Sequence, residues 1–272
     1  MKCRSFPIGV CSWSLQADVP SVADALNKIG IDHVHLAIRP ALEEKARGYL
    51  SVVQKQSWTI SATMIDFPQE DYSSLDSIKV TGGIVADEFW ERNRQLFIDA
   101  AEVTAELGVK YLTMHAGFIN QNNPAYAKKF HGRIQSLADM AAKKGIVLLL
   151  ETGQETAGQL RDFLRQLNHP AVGVNFDPAN MILYDKGEPI QAVKTLGPWI
   201  RHIHIKDAVR TKQPGTWGRE VPWGEGQVGP EAFIEALEEI GCHGTLAIER
   251  EAGNDRFADI KLAAERLRNL GR

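Results

Sequence analysis

The sequence is poor in sulfur. It carries three cysteines in 272 residues, Cys3, Cys11 and Cys242. No two of them form a CxxC pair, which argues against a cysteine zinc knuckle. An odd, scattered set fits reduced thiols in a cytosol-like compartment. Positive charge is not in excess either: 31 Lys and Arg stand against 34 Asp and Glu, a formal net charge of -3. That leaves no basic field to hold a nucleic-acid backbone, so no nucleic-acid partner is expected. No stretch approaches the roughly 18–20 consecutive apolar residues of a membrane span, and no membrane partner is expected. The first residues, MKCRSFPIGVCSWS, lack a long apolar core and do not read as a signal peptide, so a cytoplasmic location is expected. Linkers, low-complexity segments and repeats larger than a strand–helix unit are missing too. The chain reads as one domain over residues 1–272.

What is present is an alternation. Eight short apolar runs occur: IGVCSW (8–13), HVHLAI (33–38), TISATMI (59–65), VKYLTMH (109–115), IVLLLE (146–151), AVGVNFD (171–177), WIRHIHI (199–205) and GTLAIE (244–249). Several are apolar on both alternating faces, as suits parallel strands covered on both sides. Helical patterns lie between them. Pro20, Pro124 and Pro230 open three, and Gly30, Gly145 and Gly241 close them. A fourth runs from Asp87 to Gly108, and DRFADIKLAAERLRNLG makes the last. Eight strand–helix pairs predict an α/β fold, a closed (β/α)8 TIM barrel of about 250 residues. Two connections are long, residues 66–86 and 207–229. Both fall at the C-terminal ends of strands, where barrel enzymes build their sites. The second, with Trp217 and Trp223, has the composition of a substrate-covering loop.

Strands five to eight deliver Glu151, Asp177, His204 and Glu249 to their C-terminal ends. In a closed barrel these ends converge on one opening. Three carboxylates that close repel one another, and a cation is the natural compensation. A carboxylate directly after an apolar run, as in LLLETG and LAIERE, is costly to bury unless paired or ligated. His202 and His204 share a face by the period of two. The one nearer the rim, His204, should ligate, with His202 a layer deeper. Three carboxylates and one imidazole suit one divalent metal, Mn2+ or Mg2+, with Co2+ and Zn2+ as alternatives. His115 could reach the metal, contact substrate or cap its loop. Asp66 follows strand three and is a weaker candidate. Trp13 and His35 either line the opposite wall or fill the barrel. Lys206 either contacts a substrate oxygen or pairs with Asp207.

The segments LLLETGQE, GVNFDPAN, HIHIKDA, VPWGEGQVG and LAIERE, in this order, resemble the xylose isomerase-like barrel superfamily over nearly the whole chain. Its members include ketose 3-epimerases, hydroxypyruvate isomerase, inosose dehydratases and endonuclease IV. The resemblance implies that Glu151, Asp177, His204 and Glu249 hold the metal and that Glu151 and Glu249 also move the proton. It implies a substrate contact at Arg210, six residues past the metal histidine; a solvated loop arginine is the alternative. Two positions depart from the 3-epimerase pattern. Asn180 stands where those enzymes carry a histidine, and Ala157 where they carry a glutamate, with Glu155 nearby but off that offset. Endonuclease IV is similar at His115 and the four metal positions. Its further histidines are missing: Asn180 replaces one, and no Asp-x-His occurs in 207–229.

The expected activity is a metal-dependent isomerase or epimerase of a small keto-sugar, with proton transfer through a metal-stabilised enediolate. Glu151 and Glu249 would act as the acid/base pair, and His115, Asn180, Arg210, Trp13 and Lys206 would contact the carbohydrate. The alternatives are a lyase of the inosose dehydratase type and, after it, an endonuclease IV-like enzyme or a non-catalytic sugar-binding barrel. Barrels of this type often form dimers or tetramers, so a homo-oligomer is an open expectation.

Overall fold

The computed structural model describes residues 1–43 and 48–271. Eight parallel strands form its centre: β1 (Phe6–Cys11), β2 (His33–Ala37), β3 (Thr59–Met64), β4 (Tyr111–Met114), β5 (Val147–Glu151), β6 (Val172–Phe176), β7 (Ile200–Ile205) and β8 (Leu246–Ile248). Each pairs with its neighbours in sequence. β8 pairs with β1 through Leu246 opposite Ile8, and β1 with β2 through Gly9 opposite His33, which closes the ring. The fold is a (β/α)8 barrel. A two-residue strand, Lys2–Cys3, adds an antiparallel flap onto β1.

The helices form because their sequences alternate apolar and polar residues at helical spacing and carry their own caps. Asp18, Asn123, Thr156 and Asp255 each accept a backbone N–H at a helix start, and Thr156 completes a capping box with Gln159. Their apolar faces cover the sheet. Phe176 on β6, for example, stacks on Phe233 of helix Pro230–Glu239 at 6.0 Å between ring centroids. Among the described residues, no helix is long and apolar enough to cross a membrane.

Three local features differ from the sequence reading. β1 ends at Cys11, and Ser12–Leu15 turn as a 3-10 helix, so Trp13 sits on a turn and not on a strand. Residues 66–86 contain the helix Leu75–Thr81. Residues 207–229 are built on a hairpin in which Asp207–Val209 pairs antiparallel with Arg219–Val221. The Asp207 carboxylate organises the rest of that connection, accepting the backbone N–H groups of Gly224, Gly226 and Val228 at 3.0–3.1 Å. A side chain at position 226 would collide with this carboxylate, which explains its glycine.

Candidate metal centre

The inner face beneath the rim departs from the usual branched-aliphatic filling of such barrels. It carries His35, Ser61, Thr113, Asn175 and His202. All but Ser61, which is partly buried, are fully or almost fully buried, and every one is hydrogen-bonded. Buried polar groups of this kind are stable only when satisfied, and here they satisfy one another across the barrel.

Above this layer the four donors converge. One ligand atom from each of Glu151, Asp177, His204 and Glu249 lies within 4.8 Å of every other. His204 Nδ1 stands 3.4 Å from Glu151 Oε1, 3.5 Å from Asp177 Oδ2 and 3.2 Å from Glu249 Oε2. Local structure aims each side chain. Asp177 caps the helix Pro178–Leu183: its Oδ1 accepts the Asn180 N–H at 2.9 Å, which leaves Oδ2 for the cluster. Thr152 Oγ1 accepts the Asp177 N–H at 2.8 Å and donates to its carbonyl at 3.0 Å. Asn175 and Asn180 donate to the two oxygens of Glu151 at 3.2 and 3.1 Å. Gly153 permits the second contact. It has φ of +141°, and a Cβ there would lie 2.5 Å from that of Asn180. Trp13 Nε1 donates to Glu249 Oε1 at 2.8 Å, and Lys206 Nζ donates to Glu249 Oε2 at 3.0 Å and to Glu251 Oε2 at 2.5 Å.

Two buried atoms in the cluster have no hydrogen-bond partner, Asp177 Oδ2 and His204 Nδ1. Orphaned buried polar atoms are costly and call for an explanation. Three carboxylates and one imidazole nitrogen, all facing one point, fit a divalent cation with a preference for oxygen donors. The other ring nitrogen, His204 Nε2, lies 2.9 Å from His35 Nδ1, and His35 Nε2 lies 2.9 Å from Thr113 Oγ1. With Nδ1 given to a metal, Nε2 carries the proton and donates to His35. His35 then donates to Thr113, whose hydroxyl donates to the Thr63 carbonyl at 3.0 Å. The chain is compatible with the tautomer that ligation needs, and the Asn175 amide nitrogen also lies 3.1 Å from Nε2.

The charges are mutually dependent. Burial would raise the Glu249 carboxyl, but Lys206 and His204 outweigh it and hold it well below the usual range. Burial acts on Glu151 in the same direction and is outweighed by His115 and His204. Asp177 is the exception: burial dominates, Lys206 offsets it only in part, and the carboxyl is pushed up to about 6. Burial opposes the charged form of His204, yet Glu249 and Glu151 help to hold it well above the ordinary imidazole value.

A cleft of about 650 Å³ opens over the cluster. Trp13, His115, Asn180, Lys206 and Glu249 line it, together with Arg39, Asp66, Glu70, Tyr72, Tyr184, Trp217 and Glu251. The geometry does not bring Arg210 to it. The Arg210 guanidinium is committed to Asp185, to the Gly187 carbonyl at 2.9 Å and to Glu188 at 2.9 Å. Lys206 does not pair with Asp207, whose carboxylate is occupied by the backbone of its own connection. His202 lies a layer deeper, between Asn175 Oδ1 at 2.9 Å and Ser61 Oγ at 3.0 Å. His35 sits beneath His204 and not on the cleft wall. Of the two tryptophans in the long connection, Trp217 reaches the cleft and Trp223 is buried against Phe233. Sequence reasoning passed over Glu251, although LAIERE places it two residues past Glu249. It also passed over Glu70 and Tyr72, which carry no periodic signal in their connection.

Comparison with known proteins agrees with this architecture. A solved structure of a xylose isomerase domain protein from Planctomyces limnophilus superposes with a TM-score of 0.88 at 30% identity, covering 98% of this chain and 97% of that one. A xylose isomerase-like TIM barrel protein from Mycobacterium smegmatis, solved in complex with magnesium, gives 0.74 at 18% identity over 99% and 98%. The probable 3-DHS dehydratase AsbF of Bacillus anthracis gives 0.72 at 16% over 96% and 97%. At identities of 16–18% the likeness is one of fold. Among curated proteins, L-ribulose-5-phosphate 3-epimerase UlaE of Salmonella typhi is 23% identical over 175 residues, 61% of this chain and 59% of that protein. Two uncharacterised proteins, from Escherichia coli and Methanocaldococcus jannaschii, match over 23% and 64% of their own lengths. The chain thus spans less than two thirds of each of these curated relatives. The family described as xylose isomerase-like TIM barrel matches residues 19–270, and the chain belongs to that family.

Proposed function

We propose that the protein is a metal-dependent isomerase or epimerase of a small keto-sugar. The observation that carries this reading is the meeting of two orphaned buried atoms, Asp177 Oδ2 and His204 Nδ1, with two glutamates at the floor of a cleft. Glu151, Asp177, His204 and Glu249 would hold Mn2+ or Mg2+. A dication there would act as a Lewis acid, lowering the cost of negative charge on adjacent substrate oxygens. The residues do the rest. Glu249, held as a carboxylate by Lys206, takes the proton next to the substrate carbonyl. Glu151, fixed by Asn175 and Asn180, returns it on the other face for epimerisation. Ligation weakens a carboxylate as a base, so each glutamate would be bound through one oxygen, keeping the other for the proton. Trp13, His115, Asn180 and Lys206 border the space a sugar would fill. The relatedness to a ribulose-phosphate 3-epimerase supports the reaction class. A cytoplasmic location goes with it, given three buried free thiols.

A lyase is the second reading, favoured by one asymmetry. Glu249 borders the cleft, whereas Glu151 lies behind Asn180 and His115, which do line it. Elimination of water needs only one base facing the substrate. Incubation with keto-sugars in D2O, with and without EDTA, separates the readings. Deuterium uptake with an unchanged formula, abolished by EDTA, is expected. Loss of water assigns a lyase. Neither, across a broad panel, removes the proton-transfer reading.

A further inference from the structure

We infer that the cleft is built for an uncharged polyhydroxy substrate and selects against phosphate esters of the same sugars. The inference rests on the proton-transfer reading above and names its substrate class. It comes from the pairing of charges along the cleft. Apart from the metal-cluster residue Glu249, the carboxylates facing it are Asp66, Glu70, Glu251 and Glu220, the last paired with Arg250 at 2.6 Å, against the permanent cations Arg39 and Lys206 among the described residues. Neither cation is free. Arg39 Nη1 lies 2.5 Å from Asp66 Oδ2 and its Nε 3.5 Å from Glu43 Oε1. Lys206 is held between Glu249 and Glu251 at 3.0 and 2.5 Å, with Asp177 at 3.9 Å. His115 faces Glu151 Oε1 at 3.7 Å. Arg210, six residues past His204, is paired with Asp185 and Glu188 outside the cleft.

A phosphate dianion is recognised by unpaired guanidinium or ammonium groups, or by a cluster of backbone N–H donors. Here it would have to displace a carboxylate from its cation and then sit among the remaining ones, an arrangement that rejects ligands by like charge. The unspent groups of the cleft are of another kind. Trp217 and His115 line it, and each has a buried ring nitrogen without a partner, Nε1 and Nδ1. Trp13, Tyr72 and Tyr184 add aromatic rings to the walls. Single ring donors or acceptors beside aromatic faces match hydroxyls and the C–H faces of a sugar.

The test uses the full chain loaded with Mn2+. Deuterium exchange is measured for free ketopentoses and ketohexoses and for their terminal phosphate esters. The free sugars should be favoured at least about tenfold in kcat/KM. In Asp66→Ala, which releases Arg39, the preference should shrink by at least about threefold. Esters turned over within tenfold of the free sugars, or faster, overturn the charge assignment and leave proton transfer standing. An unchanged preference in Asp66→Ala overturns the role given to the Arg39–Asp66 pair. Exchange with neither series overturns the proton-transfer reading, and this inference falls with it.

Discussion

The mouth of the barrel has two unlike halves. β5 ends in Glu151, Asp177 and Glu249 directly follow β6 and β8, His204 is next to last on β7 with Lys206 just past its end, and Glu251 lies two residues beyond Glu249. The strands of the other half, β1 to β4, bring Trp13, His35, Thr113 and His115 at or near their ends. The second half nevertheless holds much of the first in place. Trp13 donates to Glu249, His35 meets the far nitrogen of His204, and Thr113 anchors His35. The contrast separates two jobs. The candidate donors stand on one arc, whereas their orientation is shared between neighbours on that arc, such as Asn175, Asn180 and Thr152, and groups that reach across the ring.

The most forceful way to break this division is to neutralise a donor. Glu249→Gln should lower deuterium exchange by about a thousandfold while circular dichroism stays native. Wild-type exchange in that variant would take Glu249 out of the proton transfer. Disturbing the supporting half should cost less. His35→Ala is expected to weaken Mn2+ binding about 10–100-fold by calorimetry, because His204 loses the partner that sets its tautomer. His35→Gln should recover part of the loss, since an amide both accepts from His204 and donates to Thr113. Equal affinities in all three proteins would show that the β1–β4 half does not support the donors.

Glu155 sharpens the boundary of the charged half. It stands four residues past Glu151 and is almost fully buried, and burial pushes its carboxyl up to about 8, with Lys186 offsetting only part. The folded value lies above the unfolded one, so folding takes up a proton between them. Stability is therefore lost as pH rises from the unfolded value towards 8. Glu155→Gln should raise Tm at pH 8 by about 3–6 °C over wild type, with the gap closing near pH 5. A gap that does not change with pH would mean that this carboxyl is compensated in the fold. The smallest effect is expected at Arg210. Arg210→Ala should change KM by less than about twofold, as suits an exposed ion pair away from the cleft. A large rise in KM would return Arg210 to the substrate.

The two halves were also unequally legible. All eight strands could be read because each is a short apolar run between glycine, proline or aspartate. The charged donors could be read because each ends such a run on its own strand. His35 could not be assigned its partner, since His204 is 169 positions away and the two meet only when the ring closes. Trp13 was placed on a strand because IGVCSW continues the apolar run, whereas backbone geometry turns the chain at Ser12. The hairpin within 207–229 was hidden because its two strands are three residues each, separated by a polar, glycine-containing stretch. Trp217 and Trp223 looked alike by composition. Only the packing of Trp223 on Phe233 tells the wall of the cleft from the core.

Lys206 has a consequence for how such a centre is assembled. Its ammonium, buried beside Glu249, Glu251 and Asp177, is a tethered positive charge set among three carboxylates. The rim thus carries part of its own charge compensation, so the closure of these strands does not rest on a bound ion alone.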